Sequence, residues 1–210
     1  QYINWHKSRF KTTTIIWKSY NYWSSTLYPY ACWSNSWYKW FKSFLFKKKK
    51  EIPIYCDKPT AKYLYENFSY CFVKKLDYPA ILKLKYLKKS FIIGDKINNI
   101  RIRSIKVKHG LIDSVAYILN DKLAYISDAN SFYNRDFEYF RNLKYLFIDC
   151  LRFKKHQSHF NLEDVIKIVN ILNPKITYLT NLNSELDYNQ LLKILPNNIL
   201  PGYDGLSVNI

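Results

Sequence analysis

The chain has 210 residues, of which 48% are apolar and 23% are charged, and its formal net charge is +17. This composition is close to that of average globular proteins, which excludes a disordered or collagen-like chain. The longest apolar runs are far shorter than the roughly 18 residues of a membrane-spanning helix, so we expect no membrane partner.

The first fifty residues differ in composition from the rest of the chain. They contain ten Lys or Arg residues and no acid, whereas residues 51–210 contain 23 Lys or Arg residues against 16 acids. All six Trp residues lie within the first forty positions, and no Gly does. The sequence therefore shows two compositions that meet near Lys50.

The first part of the second segment indicates strands and one helix. Its periodicity predicts strands at 52–56, 100–107, 114–119 and 123–127. Asp57 and Thr60 are capping residues for a helix that continues to about residue 68. Asn120-Asp121, between the last two strands, is typical of a hairpin turn.

The remaining residues predict strands that alternate with helices. We expect helices at 137–143 and 188–195, strands at 145–150 and 176–179, and a last strand that ends at 210. A further helix, capped by Asn161 or Ser158, has apolar residues at the 3.6-residue period: Val165, Ile168, Val169 and Leu172. Hairpin strands followed by alternating strands and helices predict an α/β fold with sheets between helices.

Four cysteines are widely spaced and fit no C-x-x-C pattern: Cys32, Cys56, Cys71 and Cys150. Such residues are typical of small buried side chains in a reducing compartment. The start of the chain also lacks the basic and then apolar pattern of a secretory signal peptide. We therefore expect a cytoplasmic protein.

Candidates for chemistry lie at two strand ends and in one loop. His109 closes a predicted strand, Asp128 closes the next but one, and His156 and His159 lie in a loop before a helix. A neutral imidazole and a carboxylate on rigid supports suit a divalent metal ion. A lone His is more often structural, however, and Asp is a common turn or cap residue. The residue pattern by itself leaves both interpretations open.

Seven stretches carry a resemblance to a known family. They read VKHG, SVAY, AYISD, LFIDCLR, SHFNL, YLTNLNSELDY and LPGYDGL, and they begin at residues 107, 114, 124, 146, 158, 178 and 200. In their order and spacing, residues 51–210 resemble the metallo-β-lactamase-fold hydrolases. The branch most similar to the chain is that of the phosphoribosyl 1,2-cyclic phosphate phosphodiesterases.

The resemblance implies a metallo-β-lactamase-type αββα sandwich and hydrolysis of a small phosphodiester substrate. Two metal ions, zinc or manganese, would lower the pKa of a bridging water and polarise the phosphoryl oxygens. By this resemblance His109 is a ligand of the first metal and Asp128 is the carboxylate that bridges both. His159 corresponds to a histidine that holds the phosphate or protonates the leaving oxygen. A homodimer is one assembly that we consider.

Asn181 departs from the family pattern, because it stands where the family has the first histidine of its T-H-x-x-H run, and neither Asn183 nor Ser184 supplies the second. An amide oxygen is a poor zinc ligand beside imidazole. We therefore expect the second metal site to be incomplete.

The family's H-x-H-x-D-H motif should precede the Lys run at 47–50, but residues 28–40 occupy its place without it. When the codons are read from their second base, those of Pro29-Tyr30 and Ala31-Cys32 each permit His. The codons of Trp33-Ser34 permit Asp if Trp33 is encoded by TGA. The shifted frame thus recovers two histidines and an aspartate at the family spacing.

We interpret residues 1–46 as an aberrant, out-of-frame translation of the metal-binding segment, and residues 47–210 as the C-terminal three quarters of the domain. The N-terminal part of the fold is then expected to be incomplete or disordered. A genuine aromatic and basic extension is the alternative, and the DNA sequence across the first fifty codons decides between them.

The predicted function is that of a metal-dependent phosphodiester hydrolase by ancestry, impaired or inactive in this chain because only His109 and Asp128 remain of the usual ligands. Two alternatives are a basic, aromatic-rich nucleic-acid-binding protein and an RNA-processing nuclease of the same fold. A nucleic-acid partner is not favoured, because residues 51–210 carry only a modest positive excess.

Overall fold

The structure is a computed structural model that describes part of the chain in detail. The described residues are 2–4, 15–16, 51–74, 79–94, 96 and 99–210. The Trp cluster, Cys32 and the expectation of an incomplete or disordered N-terminal part lie outside them, and the division of the chain at 46/47 stays a prediction. The chain separates into two compact units, Phe10–Leu87 and Gln1–Arg9 with Lys88–Ile210.

The unit Phe10–Leu87 contains a parallel sheet and one α-helix among its described residues. Its elements are β2 (Ile15–Ile16), β3 (Ile52–Cys56), α1 (Lys58–Asn67) and β4 (Leu82–Tyr86), with strand order β2-β3-β4. Asp57 caps α1, since its carboxylate accepts a hydrogen bond from the Thr60 N–H at 3.0 Å. The strand and capped helix predicted here are confirmed.

The second unit is built on a mixed sheet. Its strands are β5 (Ser90–Gly94), β6 (Asn99–His109), β7 (Ile112–Leu119), β8 (Leu123–Ile126), β9 (Ser131–Phe132), β10 (Tyr145–Asp149), β11 (Ile176–Thr180) and β12 (Ile199–Pro201). Their order in the sheet is β12-β11-β10-β8-β7-β6-β5, with β9 beside β6. Strands β5 to β8 are antiparallel neighbours, whereas β8, β10, β11 and β12 are parallel. A separate antiparallel pair joins β1 (Tyr2–Asn4) to β13 (Ser207–Asn209).

The turn between β7 and β8 matches its prediction. Asn120 and Asp121 both have a φ of 51°, as the two central residues of a type I′ turn do, and the Lys122 N–H donates to the Leu119 carbonyl at 3.0 Å across the turn. The Asn120 side-chain oxygen also accepts a hydrogen bond from the Arg101 N–H at 2.8 Å, which ties the turn to β6.

One face of the mixed sheet packs against α2 (Leu162–Leu172) through Val165, Val169 and Leu172. Asn161 is the cap of α2, because its side chain accepts a hydrogen bond from the Asp164 N–H at 2.9 Å. A second helix, α3 (Tyr188–Ile194), precedes β12. None of the helices in the described ranges is long and apolar enough to cross a membrane.

The helix predicted over 137–143 lies earlier in the structure, as a 3₁₀ helix at Asn134–Phe140. It ends there because Arg141 has extended backbone and Asn142 adopts a left-handed conformation, with φ of 53°. Phe140, fully buried at its end, packs against Phe132 with ring centroids 5.1 Å apart.

The cysteines at 56, 71 and 150 are unpaired and buried, as their spacing predicts. Burial raises the pKa of Cys56 and Cys71 to about 11 and that of Cys150 to about 12. These thiols therefore stay protonated near neutral pH, as small apolar core residues do.

We expect Asp113→Asn to lower the free energy of unfolding at neutral pH by at most about 1 kcal/mol, since the carboxylate is 38% exposed. Hydrogen bonds from Lys106 and then Tyr133 lower the pKa of Asp113 below its ordinary 3.8. The stabilisation is therefore complete above that value and is lost as the pH falls through the lower folded pKa. Thermal unfolding midpoints measured from neutral to acidic pH test this, and a pH-independent difference would contradict it.

Candidate catalytic site

Polar residues lie at the carboxyl ends of three parallel strands of the mixed sheet. Asp128 comes after β8, Asp149 ends β10 and Asn181 comes after β11. The register pairs Ile148 with both Ile126 and Leu179, so these side chains lie close together. Ligand atoms of Asp128, Asp149 and His159 all lie within 4.8 Å of one another. The structure therefore brings two of the candidate residues, Asp128 and His159, together and places Asp149 beside them.

Asp149 and His159 form a buried hydrogen-bonded pair. The Nδ1–H of His159 donates to Oδ2 of Asp149 at 2.6 Å, and the same oxygen accepts from the Ala129 N–H at 3.0 Å. Asp149 is 0% exposed, and no hydrogen bond to its Oδ1 occurs within the described residues. Burial raises the pKa of Asp149, and the hydrogen bond from His159 partly opposes this. The pair holds the His159 ring with its Nδ1 protonated.

His109, at the end of β6, lies next to this pair. Its Nδ1–H donates to the Ser158 carbonyl at 2.6 Å, and its ring centroid lies 4.7 Å from that of His159. A backbone carbonyl on one ring nitrogen is the arrangement that prepares the other nitrogen for a metal ion. His109 thus has a suitable orientation, but it is not in the group of three whose ligand atoms lie within 4.8 Å.

Gly110 allows the loop after β10 to approach the β6–β7 hairpin. Its φ is +64°, and a Cβ added there would lie 3.1 Å from the Ser158 Cβ. The Gly110 N–H donates to Oδ1 of Asn130 at 3.0 Å, and Asn130 in turn donates to the Gln157 carbonyl at 2.8 Å. These contacts hold the histidine-bearing loop beside His109.

Asp128 is only 7% exposed, and protein donors reach both of its carboxylate oxygens. Oδ1 accepts from the Asn181 side-chain amide at 3.2 Å, and Oδ2 accepts from the Ser127 hydroxyl at 3.1 Å. The Asn181 amide also donates to the Ser127 carbonyl. Asn183 is occupied elsewhere, because its oxygen accepts from the Glu185 N–H at 3.0 Å.

The described residues do not fit the two-metal centre that the resemblance implies. Asn181 turns an N–H donor toward Asp128, and a donor in that position cannot ligate a cation. Nδ1 of His159 and Oδ2 of Asp149 are already used by the hydrogen bond that joins these two side chains. The donor set therefore suits at most one cation, beside Asp128.

Sequence patterns missed one member of the site, Asp149, and assigned no role to the candidate His156. Asp149 reads as the end of a buried strand, and its only signal is a carboxylate that follows four apolar or aromatic residues. His156 reads as a loop residue, yet its ring centroid lies 5.2 Å from that of His159. Burial lowers the pKa of His156, and the neighbouring His159 lowers it further.

Residues 42–180 match the family model described as the beta-lactamase superfamily domain. A diphosphatase from the PhnP family has a similar structure, with 25% identity and a TM-score of 0.67, over 77% of this chain and 59% of the other. The chain thus spans less than two thirds of that protein. No curated protein matches the chain.

Two further solved structures share the fold at lower identity. The metallo-beta-lactamase fold protein YhfI from Bacillus subtilis has 14% identity and a TM-score of 0.63, over 93% of this chain and 76% of the other. Human tRNase Z, short form, has 13% identity and a TM-score of 0.52, over 78% of this chain and 68% of the other. The predicted fold class is confirmed: the chain belongs to the β-lactamase superfamily and has the mixed α/β fold of the metallo-β-lactamase hydrolases.

Proposed function

We propose that the chain descends from a metal-dependent phosphodiester hydrolase, that it keeps the half of the site that holds the substrate phosphate, and that its hydrolysis is impaired. The observation that carries this proposal is the contrast between two contacts. His159 is oriented by a buried carboxylate, whereas Asp128 is bound by the Asn181 amide.

The retained half has the chemistry of a proton donor. With Nδ1–H fixed on Asp149, the second nitrogen of the His159 ring takes up a proton or releases it to an oxygen of the substrate. The Asp149 carboxylate stabilises the imidazolium that carries this proton. His159 would then bind a phosphoryl oxygen or protonate the leaving oxygen, as the resemblance suggests.

The depleted half is the one that would generate the nucleophile. In two-metal hydrolases the paired cations lower the pKa of the attacking water and stabilise the charge that develops on the phosphoryl group. The Asn181 amide can neutralise part of the Asp128 charge, but it cannot activate water. Substrate binding should therefore persist when turnover does not.

The experiment measures metal content and turnover on the same preparation. After chelation and refilling with zinc or manganese, we expect less than one metal equivalent per chain by elemental analysis. Hydrolysis of bis(p-nitrophenyl) phosphate should not exceed that of the metal-containing buffer. Two bound equivalents together with turnover that is lost in Asp128→Asn would overturn the proposed impairment.

The two alternatives, a nucleic-acid-binding protein and an RNA-processing nuclease, stay predictions. Several exposed basic side chains of the second unit pair with acids, as in Arg101 with Asp121 and Lys167 with Glu163, which reduces the positive surface available to a nucleic acid. The similarity to human tRNase Z is a similarity of fold, and nothing in the described site favours RNA over another phosphodiester.

A further inference from the structure

Ser158 contacts two histidines through its backbone, in opposite senses. Its carbonyl accepts a hydrogen bond from the His109 Nδ1 at 2.6 Å, and its N–H donates to the His156 Nδ1 at 3.3 Å. The Ser158 hydroxyl also lies 3.3 Å from the same nitrogen of His156, which can accept from both groups. A carbonyl can only accept and an amide N–H can only donate. Ser158 therefore favours opposite tautomers in the two rings, with the proton on Nδ1 of His109 and on Nε2 of His156.

The Nε2–H of neutral His156 is a donor without an acceptor in the described part of the chain. The ring is half buried beside His159, with an angle of 47° between the two ring planes. A partly desolvated donor gains more from a charged acceptor than an exposed one does. An anionic oxygen held by His159 would supply that acceptor.

Arg152, which precedes His156 in the same loop, already makes two hydrogen bonds to that loop. Arg152 donates through Nε to the Lys154 carbonyl at 3.2 Å and through Nη2 to the Lys155 carbonyl at 2.8 Å. Its guanidinium therefore braces the loop that carries His156. The His156 ring, with its centroid 5.2 Å from that of His159, lies beside an anion held there.

We propose that His156 is a further substrate-contacting residue, whose Nε2–H donates a hydrogen bond to a phosphoryl oxygen of the ligand bound at His159. The inference rests on the proposed function, because it requires that the phosphate-holding half of the site is retained. It assigns complementary tasks to the two rings: His159 carries the exchangeable proton and His156 holds the anion in place. Ser158 sets this division through its backbone.

Two substitutions of His156 test whether ligand binding needs a hydrogen-bond donor at the position of Nε2 or the imidazole ring as a whole. The side-chain amide of Gln reaches the position of the imidazole Nε2, so His156→Gln keeps a donor there. The shorter side chain of Asn reaches only the position of Nδ1, so His156→Asn loses the donor. Inorganic phosphate is the probe, and isothermal titration calorimetry on the full chain measures its affinity without requiring turnover.

We expect His156→Asn to weaken phosphate binding by about ten-fold or more, as the loss of a hydrogen bond to a charged group does. His156→Gln should stay within about three-fold of the parent chain. Equal weakening in both variants, or no weakening in either, would show that the ring does not act as a donor and would overturn the proposal.

The controls distinguish this inference from the function on which it rests. If the parent chain does not bind phosphate at millimolar concentration, the retained substrate half is absent and the proposed function fails as well. If His159→Ala weakens binding and His156→Asn does not, only the role of His156 is wrong. Nitrogen-15 spectra of the parent chain give a readout that needs no variant: protonated Nδ1 in His109 and protonated Nε2 in His156 are expected, and the reverse pattern would contradict the proposal.

Discussion

Replacing Asp149 with Ala should lower the free energy of unfolding by about 2–5 kcal/mol, because two donors lose their buried acceptor and each unsatisfied buried group costs about 1–3 kcal/mol. The substitution leaves the Ala129 N–H and the Nδ1–H of His159 without their common acceptor, at a position that is 0% exposed. Burial also raises the pKa of Asp149, and removing a carboxylate whose burial is unfavourable offsets part of the loss of the two hydrogen bonds.

A matched variant separates the hydrogen bonds from the charge. Asp149→Asn keeps one oxygen that can accept from both donors. Its amide nitrogen takes the place of Oδ1, which has no hydrogen-bond partner within the described residues, so a buried NH₂ group is left without an acceptor. We expect a smaller loss of about 1–3 kcal/mol, typical of one unsatisfied buried group. Denaturant unfolding curves measure both, with Asp204→Ala on the surface as the control. A loss in Asp149→Ala no larger than that in the control would refute the structural role of the pair.

Phe140→Ala should destabilise the second unit by about 3–5 kcal/mol, the range for truncation of a fully buried Phe. Phe140 is 0% exposed and lies in the cluster between the mixed sheet and α2. Its ring packs on Phe132, so the substitution leaves a cavity that the 3₁₀ helix cannot close.

The neighbouring residue offers the control for this cavity. Tyr139 is half exposed and stacks under the Arg103 guanidinium at 4.7 Å. Tyr139→Ala should therefore cost no more than about 1 kcal/mol, the scale of an exposed cation–π contact. Comparable losses in the two variants would mean that Phe140 does not anchor the core.

Local patterns predicted the elements well where the residue itself determines the backbone. Asn120-Asp121 predicted the hairpin and Asn161 the start of α2, because their side chains favour those conformations without help from distant residues. The 3₁₀ helix was displaced because its end depends on Asn142, whose left-handed conformation is not evident from apolar periodicity.

The site could be predicted only in part, because it is made by strand register and by contacts between distant residues. His109, Asp128 and His159 follow from a family resemblance, and their proposed roles stay predictions. Asp149 becomes recognisable only when the loop after β10 folds back and its His159 makes a hydrogen bond to the carboxylate. The opposite tautomers of His109 and His156 depend on one peptide segment 49 residues beyond His109, which no local pattern reveals.

Gly110 has a consequence for how such a site can change during evolution. A side chain there would meet both an unfavourable φ of +64° and the Ser158 Cβ at 3.1 Å, so the position is constrained by folding alone. Asn181 also has a left-handed φ, of 60°, a conformation in which Asn and His are both enriched, so an exchange of His for Asn there spares the backbone and alters the surroundings of Asp128. In a lineage released from selection for catalysis, substitutions would therefore accumulate first at positions such as Asn181. Gly110 would be retained for as long as the chain still folds.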